Sequence, residues 1–486
     1  MTAYEAIIGL EVHVHLRTRS KMFCNCAVVE DTGDVPPNTY VCPVCTGMPG
    51  MLPVINRKAV EHTIMTGLAL NCKIAQHTFW ERKSYWYPDL PKNYQISQYQ
   101  LPLAYDGWIE IEPQDAPVKR IDITRAHLEE DAGKLYHVEG ASLVDFNRAG
   151  VPLLEIVTEP DFRTADEAYA YLSKLRTIVR YLGVSSGDME KGAMRCEPNI
   201  SLRPVGSKTF GTKIEVKNLN SLRAVRQALA YEIERQTAVL RSGGQVKQVT
   251  VGWDEANRRT VLQRVKEGSS DYRYFPEPDL PPLEISRDWV EEIRARMPEL
   301  PDAKRARFTA DFGLPAHDAG VLTADRAVAD YFEAVVTAGG EPKQTFNWIT
   351  GELFRLMNQS NLEIGDVQDV IPPAGLVELM NLVEDKTINL NTAKDVLAEM
   401  LKGGQAAQGI VAARGLAQVS DASALLVVVT QVLDDNPEEV AQYLGGKEAL
   451  KGWLMGQIMK ATRGKANPQL AQRLLAEQLA ARRPSA

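Results

Sequence analysis

The stretch Ile7-Ile8-Gly9-Leu10-Glu11-Val12-His13-Val14-His15-Leu16 alternates apolar and polar residues with a period of two. In an extended chain successive side chains point to opposite faces, so Ile8, Leu10, Val12, Val14 and Leu16 share one face while Glu11, His13 and His15 share the other. The apolar face calls for a core. The polar face either meets water, as on any half-exposed antiparallel strand, or binds something. Partners from other segments decide between the two.

At 486 residues the chain exceeds one ordinary core, and about 150 residues per domain predicts two to four domains. Its hydrophobic share of 44% is that of a globular protein. No run of about 18 apolar residues occurs, and Met1-Thr2-Ala3-Tyr4-Glu5 lacks a basic region ahead of an apolar one. A cytoplasmic protein without a membrane segment is expected. The formal charge of −8 argues against indiscriminate coating of nucleic acid. Locally the balance reverses: Lys447, Lys451, Lys460, Arg463, Lys465, Arg473, Arg482 and Arg483 face only Glu448 and Glu477. Such an end meets a phosphate backbone or forms a solvated helical face.

Four of the six cysteines are grouped as Cys24-Asn25-Cys26 and Cys42-Pro43-Val44-Cys45. Two close pairs fifteen residues apart can wrap one tetrahedral Zn²⁺, although C-x-C is less common than C-x-x-C. Four protein ligands leave no open position, so a structural Zn²⁺ is expected. Cys196 lies on the apolar side of a strand opposite Arg195 and Glu197, which predicts a buried thiol and no amidase nucleophile.

Asn56 begins a helix through Val60, Ile64 and Leu68. From Phe79 to Tyr105, aromatic residues including Tyr85, Tyr87 and Tyr94 are interleaved with Lys83, Lys92, Gln95 and Gln98. Rings beside cations and amides suit a nucleotide base or a terminal adenosine, and equally an aromatic core with a polar rim. Strands are predicted over 108–112, 118–124 and 142–148, with the carboxylate-dense His127-Leu128-Glu129-Glu130-Asp131 between them. Glu155 stands alone inside the apolar Val151–Val157 run, where a charge is costly unless paired or ligating. Hard cations such as Mg²⁺ take oxygen ligands, so Glu11, Glu155 and Glu129 or Glu130, with His13, form a candidate site. Further on, Arg195, Glu197, Asn199, Ser201 and Arg203 share a strand face, as do Lys213, Glu215 and Lys217. Cations and carboxylates on adjacent strand faces suit a phosphate and its metal.

Thr164-Ala165-Asp166-Glu167 opens one covering helix and Ser221 another, which Gly243-Gly244 stops. Pro298 and Pro301 mark a boundary, beyond which the pattern is helical. The expected fold class is therefore α+β: an antiparallel-sheet domain with covering helices over 1–297, a helical domain over 298–410, and a small helical tail over 411–486. Neither G-x-x-x-x-G-K-[ST] nor G-x-G-x-x-G after a strand is present, so any ATP must be held by sheet, metal and cations.

Several segments carry a resemblance that runs along nearly the whole chain. They are Ile8-Gly9-Leu10-Glu11-Val12-His13, Arg82-Lys83-Ser84-Tyr85-Trp86-Tyr87-Pro88-Asp89, Pro91-Lys92-Asn93-Tyr94-Gln95-Ile96-Ser97-Gln98, Glu129-Glu130-Asp131-Ala132-Gly133-Lys134, Arg195-Cys196-Glu197-Pro198-Asn199-Ile200-Ser201, Glu215-Val216-Lys217-Asn218-Leu219-Asn220-Ser221 and Asp271-Tyr272-Arg273-Tyr274-Phe275-Pro276-Glu277-Pro278-Asp279. The chain resembles the B subunits of aspartyl/glutamyl-tRNA amidotransferases. The resemblance implies ATP-dependent phosphorylation of the side-chain carboxylate of glutamate or aspartate misacylated onto tRNA(Gln) or tRNA(Asn), then amidation by ammonia. It implies two partners, an amidase (the family's A subunit) that releases the ammonia and a small C subunit, and a sheet domain similar to glutamine synthetase.

By the same resemblance Glu11, His13 and Glu155 are catalytic, and the chemistry of phosphoryl transfer adds Arg195 and Lys217 as catalytic cations, with Lys213 able to assist in the same way. Mg²⁺ or Mn²⁺ is held by Glu11, His13, Glu155 and one of Glu129 and Glu130, and Zn²⁺ by Cys24, Cys26, Cys42 and Cys45. Lys83, Tyr85, Tyr87, Lys92, Tyr94, Gln95, Gln98 and Lys213 contact ATP or the tRNA 3′ end, and Lys460, Arg463 and Lys465 the tRNA body. Ser84 stands where Asn is frequent and Glu197 where Asp is frequent; the longer Glu197 bears on its role. His15 matches no family role and is expected to face water.

Overall fold

The computed structural model describes residues 3–29, 35–265, 271–417, 422–462 and 466–482. Arg463, Lys465 and Arg483 lie outside the described residues. The chain divides into two compact units, Met1–Ala303 and Lys304–Ala486.

The first unit is built on one large sheet. Its strands in chain order are β1 (Tyr4–His15), β2 (Lys73–Ile74), β3 (Ala104–Ile111), β4 (Lys119–Glu130), β5 (Pro152–Thr158), β6 (Met194–Pro204), β7 (Ile214–Lys217), β8 (Val249–Asp254) and β9 (Arg259–Val265). They lie side by side in the order β9-β8-β7-β6-β1-β5-β4-β3-β2, so β1 is central. All neighbours run antiparallel except β7 and β8, which are parallel. A central strand can obtain partners on both sides, and β1 pairs with β5 through residues 11–15 and with β6 through residues 4–14.

The predicted alternation holds. Ile8, Leu10, Val12, Val14 and Leu16 are all essentially inaccessible, whereas Glu11, His13 and His15 are half-buried on the other face. The apolar face is covered by helices whose starts were encoded locally. Asn56 caps α1 (Arg57–Ala69), accepting from the Lys58 and Ala59 amides. Thr164 caps α2 (Ala165–Tyr181) and Ser221 caps α3 (Leu222–Arg241). α1 packs on β3 and β4, α2 on β3, and α3 on β6 and β9. Gly107 is required where β3 crosses the exit of α1: a Cβ there would lie 2.3 Å from Cys72 Sγ.

Two strand expectations change. The carboxylate segment predicted as a connection continues β4, so His127 to Glu130 are strand residues and all are buried. Hydrophobicity could not signal this, because partners from other segments pair with those carboxylates. The predicted strand at 142–148 is Ala141–Asp145, and it pairs only with Lys134–Val138 as a separate ribbon.

The second unit is helical and holds two apolar clusters. One gathers Phe308, Tyr331, Phe332, Leu353, Leu376 and Val396 among others; the other gathers Leu425, Val429, Leu454, Ile458 and Leu475 among others. Among the described residues, no helix is long and apolar enough to cross a membrane.

Because Leu10 anchors β1 from beneath, Leu10→Ala should cost about 2–5 kcal/mol by transfer and cavity terms. Hydrogen exchange should show the loss in β1, β5 and β6, with the helices of the second unit keeping their protection.

Candidate active site

Pairing register lines up the polar face of β1 with its neighbours. Across β6-β1-β5-β4, Arg195 lies opposite His13, His13 opposite Glu155, and Glu155 opposite His127. Two residues back along β1, Glu11 lies opposite Glu197. Two overlapping acid–imidazole triads result, Glu11-His13-Glu155 and His127-Glu129-Glu155, each with ligand atoms within 4.8 Å of one another. His13 Nε2 is 3.1 Å from Glu155 Oε2 and 3.6 Å from Glu11 Oε1. His127 Nε2 is 3.4 Å from Glu129 Oε1 and 4.0 Å from Glu155 Oε2.

Charge is poorly balanced here. Burial pushes the Glu11 carboxyl up to about 7, with the Glu155 and Glu197 charges adding to it and His13 opposing. Burial works to lower His13, but the hydrogen bond and charge of Glu155, with Glu11, outweigh it and hold the ring near 9. Glu129 is opposed by burial yet held well down, chiefly by Lys83, whose Nζ is 3.7 Å away, and then by His127. Glu155 is likewise lowered against burial and Glu129, through His127 and His13. Three carboxylates with two imidazoles between them form a donor set that fits a hard divalent cation, and the raised Glu11 marks negative charge that such a cation would neutralise.

Strand parity separates the two candidate glutamates. Glu129 points into the cluster, where Ser97 Oγ and Gln95 Nε2 donate to it at 2.7 and 2.8 Å. Glu130 points the other way, to Lys92 Nζ and the Ile96 amide. Lys92 therefore does not join the cluster, whereas Lys83 and Gln95 do. Gln98 is fully buried and bridges Thr78 Oγ1 and the Leu128 amide, so it holds backbone.

Tyr94 stacks under the Arg82 guanidinium at 4.2 Å, and Arg82 is itself held bidentately by Glu277. Tyr85 meets Tyr272 edge-on at 6.1 Å, so the Asp271–Asp279 segment packs on the aromatic stretch. Tyr87 is exposed. Lys213 is exposed and borders a cavity of about 310 Å³ that Gly9, Glu11, Thr158, Asn199, Ser201 and Gly211 also line. Lys217 Nζ is 2.6 Å from Glu197 and 3.2 Å from Glu215; burial opposes its charge, and these carboxylates raise it. Cys196 is buried, and desolvation holds its thiol far above the ordinary range. Lys460 is exposed.

His15 does not simply face water. Its Nε2 is 2.6 Å from Asp131 Oδ2, which Arg195 also reaches at 2.9 Å. Sequence reasoning missed His127, Ser97 and Asp131. The i, i+2, i+4 spacing of His127, Glu129 and Asp131 was a usable signal, since residues two apart on a strand share a face.

The grouped cysteines meet as their spacing predicts, with all four Sγ atoms within 4.8 Å. Cys45 Sγ is 4.0 Å from Cys26 Sγ and 3.9 Å from Cys42 Sγ. Bonds of about 2.3 Å in a tetrahedron place sulfurs about 3.8 Å apart, so the spacing fits a thiolate metal site. Lys21, fully buried, brings its Nζ to 3.6 Å from Cys45 Sγ and so offsets thiolate charge. Loading the protein with Co²⁺ should give the visible absorption of a tetrahedral thiolate site, and Cys45→Ser should weaken it severalfold; an unchanged spectrum would exclude the four-cysteine set.

Two family models match the chain. Residues 6–291 match the GatB/GatE catalytic domain family and residues 330–479 the GatB domain family. Over 480 residues, the chain is 55% identical to the aspartyl/glutamyl-tRNA(Asn/Gln) amidotransferase B subunit of Moorella thermoacetica, covering 98% of this chain and 100% of that protein. The protein of the same name from Thermodesulfovibrio yellowstonii is 52% identical, with 97% and 98% covered. That of Brevibacillus brevis is 50% identical, with 99% of each covered. The chain belongs to the family of aspartyl/glutamyl-tRNA(Asn/Gln) amidotransferase B subunits.

Proposed function

We propose that this chain is the amidating component of a tRNA amidotransferase. It uses ATP to phosphorylate the side-chain carboxylate of glutamate on tRNA(Gln), or aspartate on tRNA(Asn), and ammonia then displaces phosphate to leave glutamine or asparagine on the tRNA. The observation that carries this reading is the acid–imidazole cluster of Glu11, Glu129 and Glu155 on a central sheet face. Its partners in this reading are an amidase, the A subunit of the complex, which releases ammonia from glutamine, and a small C subunit.

The chemistry explains why such a cluster is needed. A carboxylate is a poor acylating agent for ammonia, and phosphorylation turns one of its oxygens into a leaving group. Phosphoryl transfer is catalysed mainly by positioning and by stabilising charge on oxygens. A divalent cation, Mg²⁺ or Mn²⁺, held by Glu11, His13, Glu155 and Glu129 would supply charge neutralisation at the phosphate oxygens. Lys83 fixes Glu129 in its ionised form, and Arg195 and Lys217 flank the cluster as cations on the same sheet face. The cavity beside Gly9 and Lys213 is the space we assign to part of the nucleotide. An antiparallel sheet with carboxylates on its open face is also what likeness to glutamine synthetase leads one to expect.

The four cysteines hold a structural Zn²⁺ in this reading. The helical segments after residue 297 hold the tRNA body, Lys460 among the contacts, since exposed cations release counterions from phosphates.

With the partner chains present and free ammonia as nitrogen donor, Glu11→Gln and Glu155→Gln should each reduce amidation at least about 100-fold. Undiminished amidation would sink the phosphorylation reading and leave a binding scaffold. Glu129→Gln should raise the Mg²⁺ concentration needed for half-maximal rate, and Glu130→Gln should leave it unchanged.

Proton linkage gives a second test. Ligation needs a neutral His13 ring, and Glu155 and Glu11 outweigh burial to hold that ring near 9, while burial and Glu155 bring Glu11 to about 7. At about pH 8 Glu11 is mostly ionised and His13 mostly protonated, so Mg²⁺ binding should release about one proton per chain. Calorimetry in two buffers of different ionisation enthalpy measures it, and His13→Gln should remove the release.

A further inference from the structure

Asp131 lies just beyond the last residue of β4, outside both triads, and its amide, carbonyl and both carboxylate oxygens are all engaged. Its amide donates to Val151 O at 2.8 Å, and its carbonyl accepts from the Gly150 amide at 2.9 Å. Its Oδ1 accepts from the Ala132 amide at 2.9 Å. Its Oδ2 takes His15 Nε2 at 2.6 Å, an Arg195 nitrogen at 2.9 Å and Arg148 Nε at 3.4 Å.

The two arginines are held differently. Arg148 is anchored independently, with nitrogens on Ala132 O and Gly133 O at 3.0 and 2.6 Å. Arg195 meets Asp131 through one nitrogen. Its side chain retains 32% of its exposure against 7% for Asp131, so part of it stays open to solvent. Arg195 lies directly across from His13. A long cation in that place is drawn toward the unbalanced carboxylates, where it would occupy the space of a divalent cation and its phosphate oxygens.

We propose that Asp131 is a positioning residue for the amidation reaction, holding the Arg195 guanidinium at the rim of the Glu11-His13-Glu155 cluster with its free edge toward the oxygens of the transferring phosphoryl group. His15 and Arg148 steady Asp131 for that purpose, which gives His15 its role. The proposal rests on the phosphoryl-transfer reading of the cluster.

The experiment is a double-mutant cycle on the complex with its partner chains, using free ammonia and varying ATP and misacylated tRNA separately. Arg195→Gln should lower kcat about 100-fold. Asp131→Asn, which keeps the shape and loses the charge, should lower kcat about 10-fold or more, with both KM values within about threefold of the parent. Asp131→Asn combined with Arg195→Gln should be no slower than Arg195→Gln alone, because a residue acting through another costs nothing once that other is gone. If Asp131→Asn does not fold, Asp131→Glu, which keeps the charge and displaces it by a methylene, takes its place in the same cycle. Losses that multiply in the double variant would overturn the positioning role and leave Asp131 structural. Full activity of Arg195→Gln would overturn it as well, while a continued need for Glu11 in that case would leave the phosphoryl-transfer reading standing.

Discussion

Three carboxylates brought together on one face of a sheet repel one another, and the first unit is arranged around supporting that repulsion. Glu11, Glu155 and Glu129 come from three adjacent strands, and each is flanked by a compensating group: His13 between the first two, His127 between the last two, and Lys83 beyond Glu129. Compensation is incomplete at Glu11, whose carboxyl is pushed up by burial and by its neighbours.

Holding such a face rigid needs a strong opposite face. The apolar side of β1 is inaccessible from Ile8 to Leu16, and β1 is the central strand, with hydrogen-bonded neighbours on both sides. α1 and α3 close the other side of the sheet. The cost of clustering like charges is therefore offset by apolar burial on the reverse of the same strands. Strand alternation makes this possible, because one residue in two serves each purpose.

Much of this was legible in the sequence where a property repeats locally. Alternation in residues 7–16 fixed which side chains share a face, and cap residues Asn56, Thr164 and Ser221 began helices as expected. Paired cysteines converged because a pair on a tight turn carries its own geometry. Glu155 was conspicuous because an unpaired charge in an apolar strand is too costly to be idle. Where the carboxylates were dense, local pattern failed: His127 to Glu130 form strand, since Lys83, Lys92, Gln95 and Ser97 come from a distant segment to satisfy them. Gln98, chosen for its amide, proved to hold backbone.

The sequence by itself determined the alternation of β1, the grouped thiols, the helix starts and the family, because each depends on residues close in the chain or on motifs in order. Only the tertiary structure decided that Glu129 and not Glu130 enters the cluster, that His127 joins it, and that His15 and Arg195 converge on Asp131. Those outcomes depend on where β4 ends and on the register between strands far apart in the chain. A shift of one residue in that register would turn every one of these side chains to the opposite face.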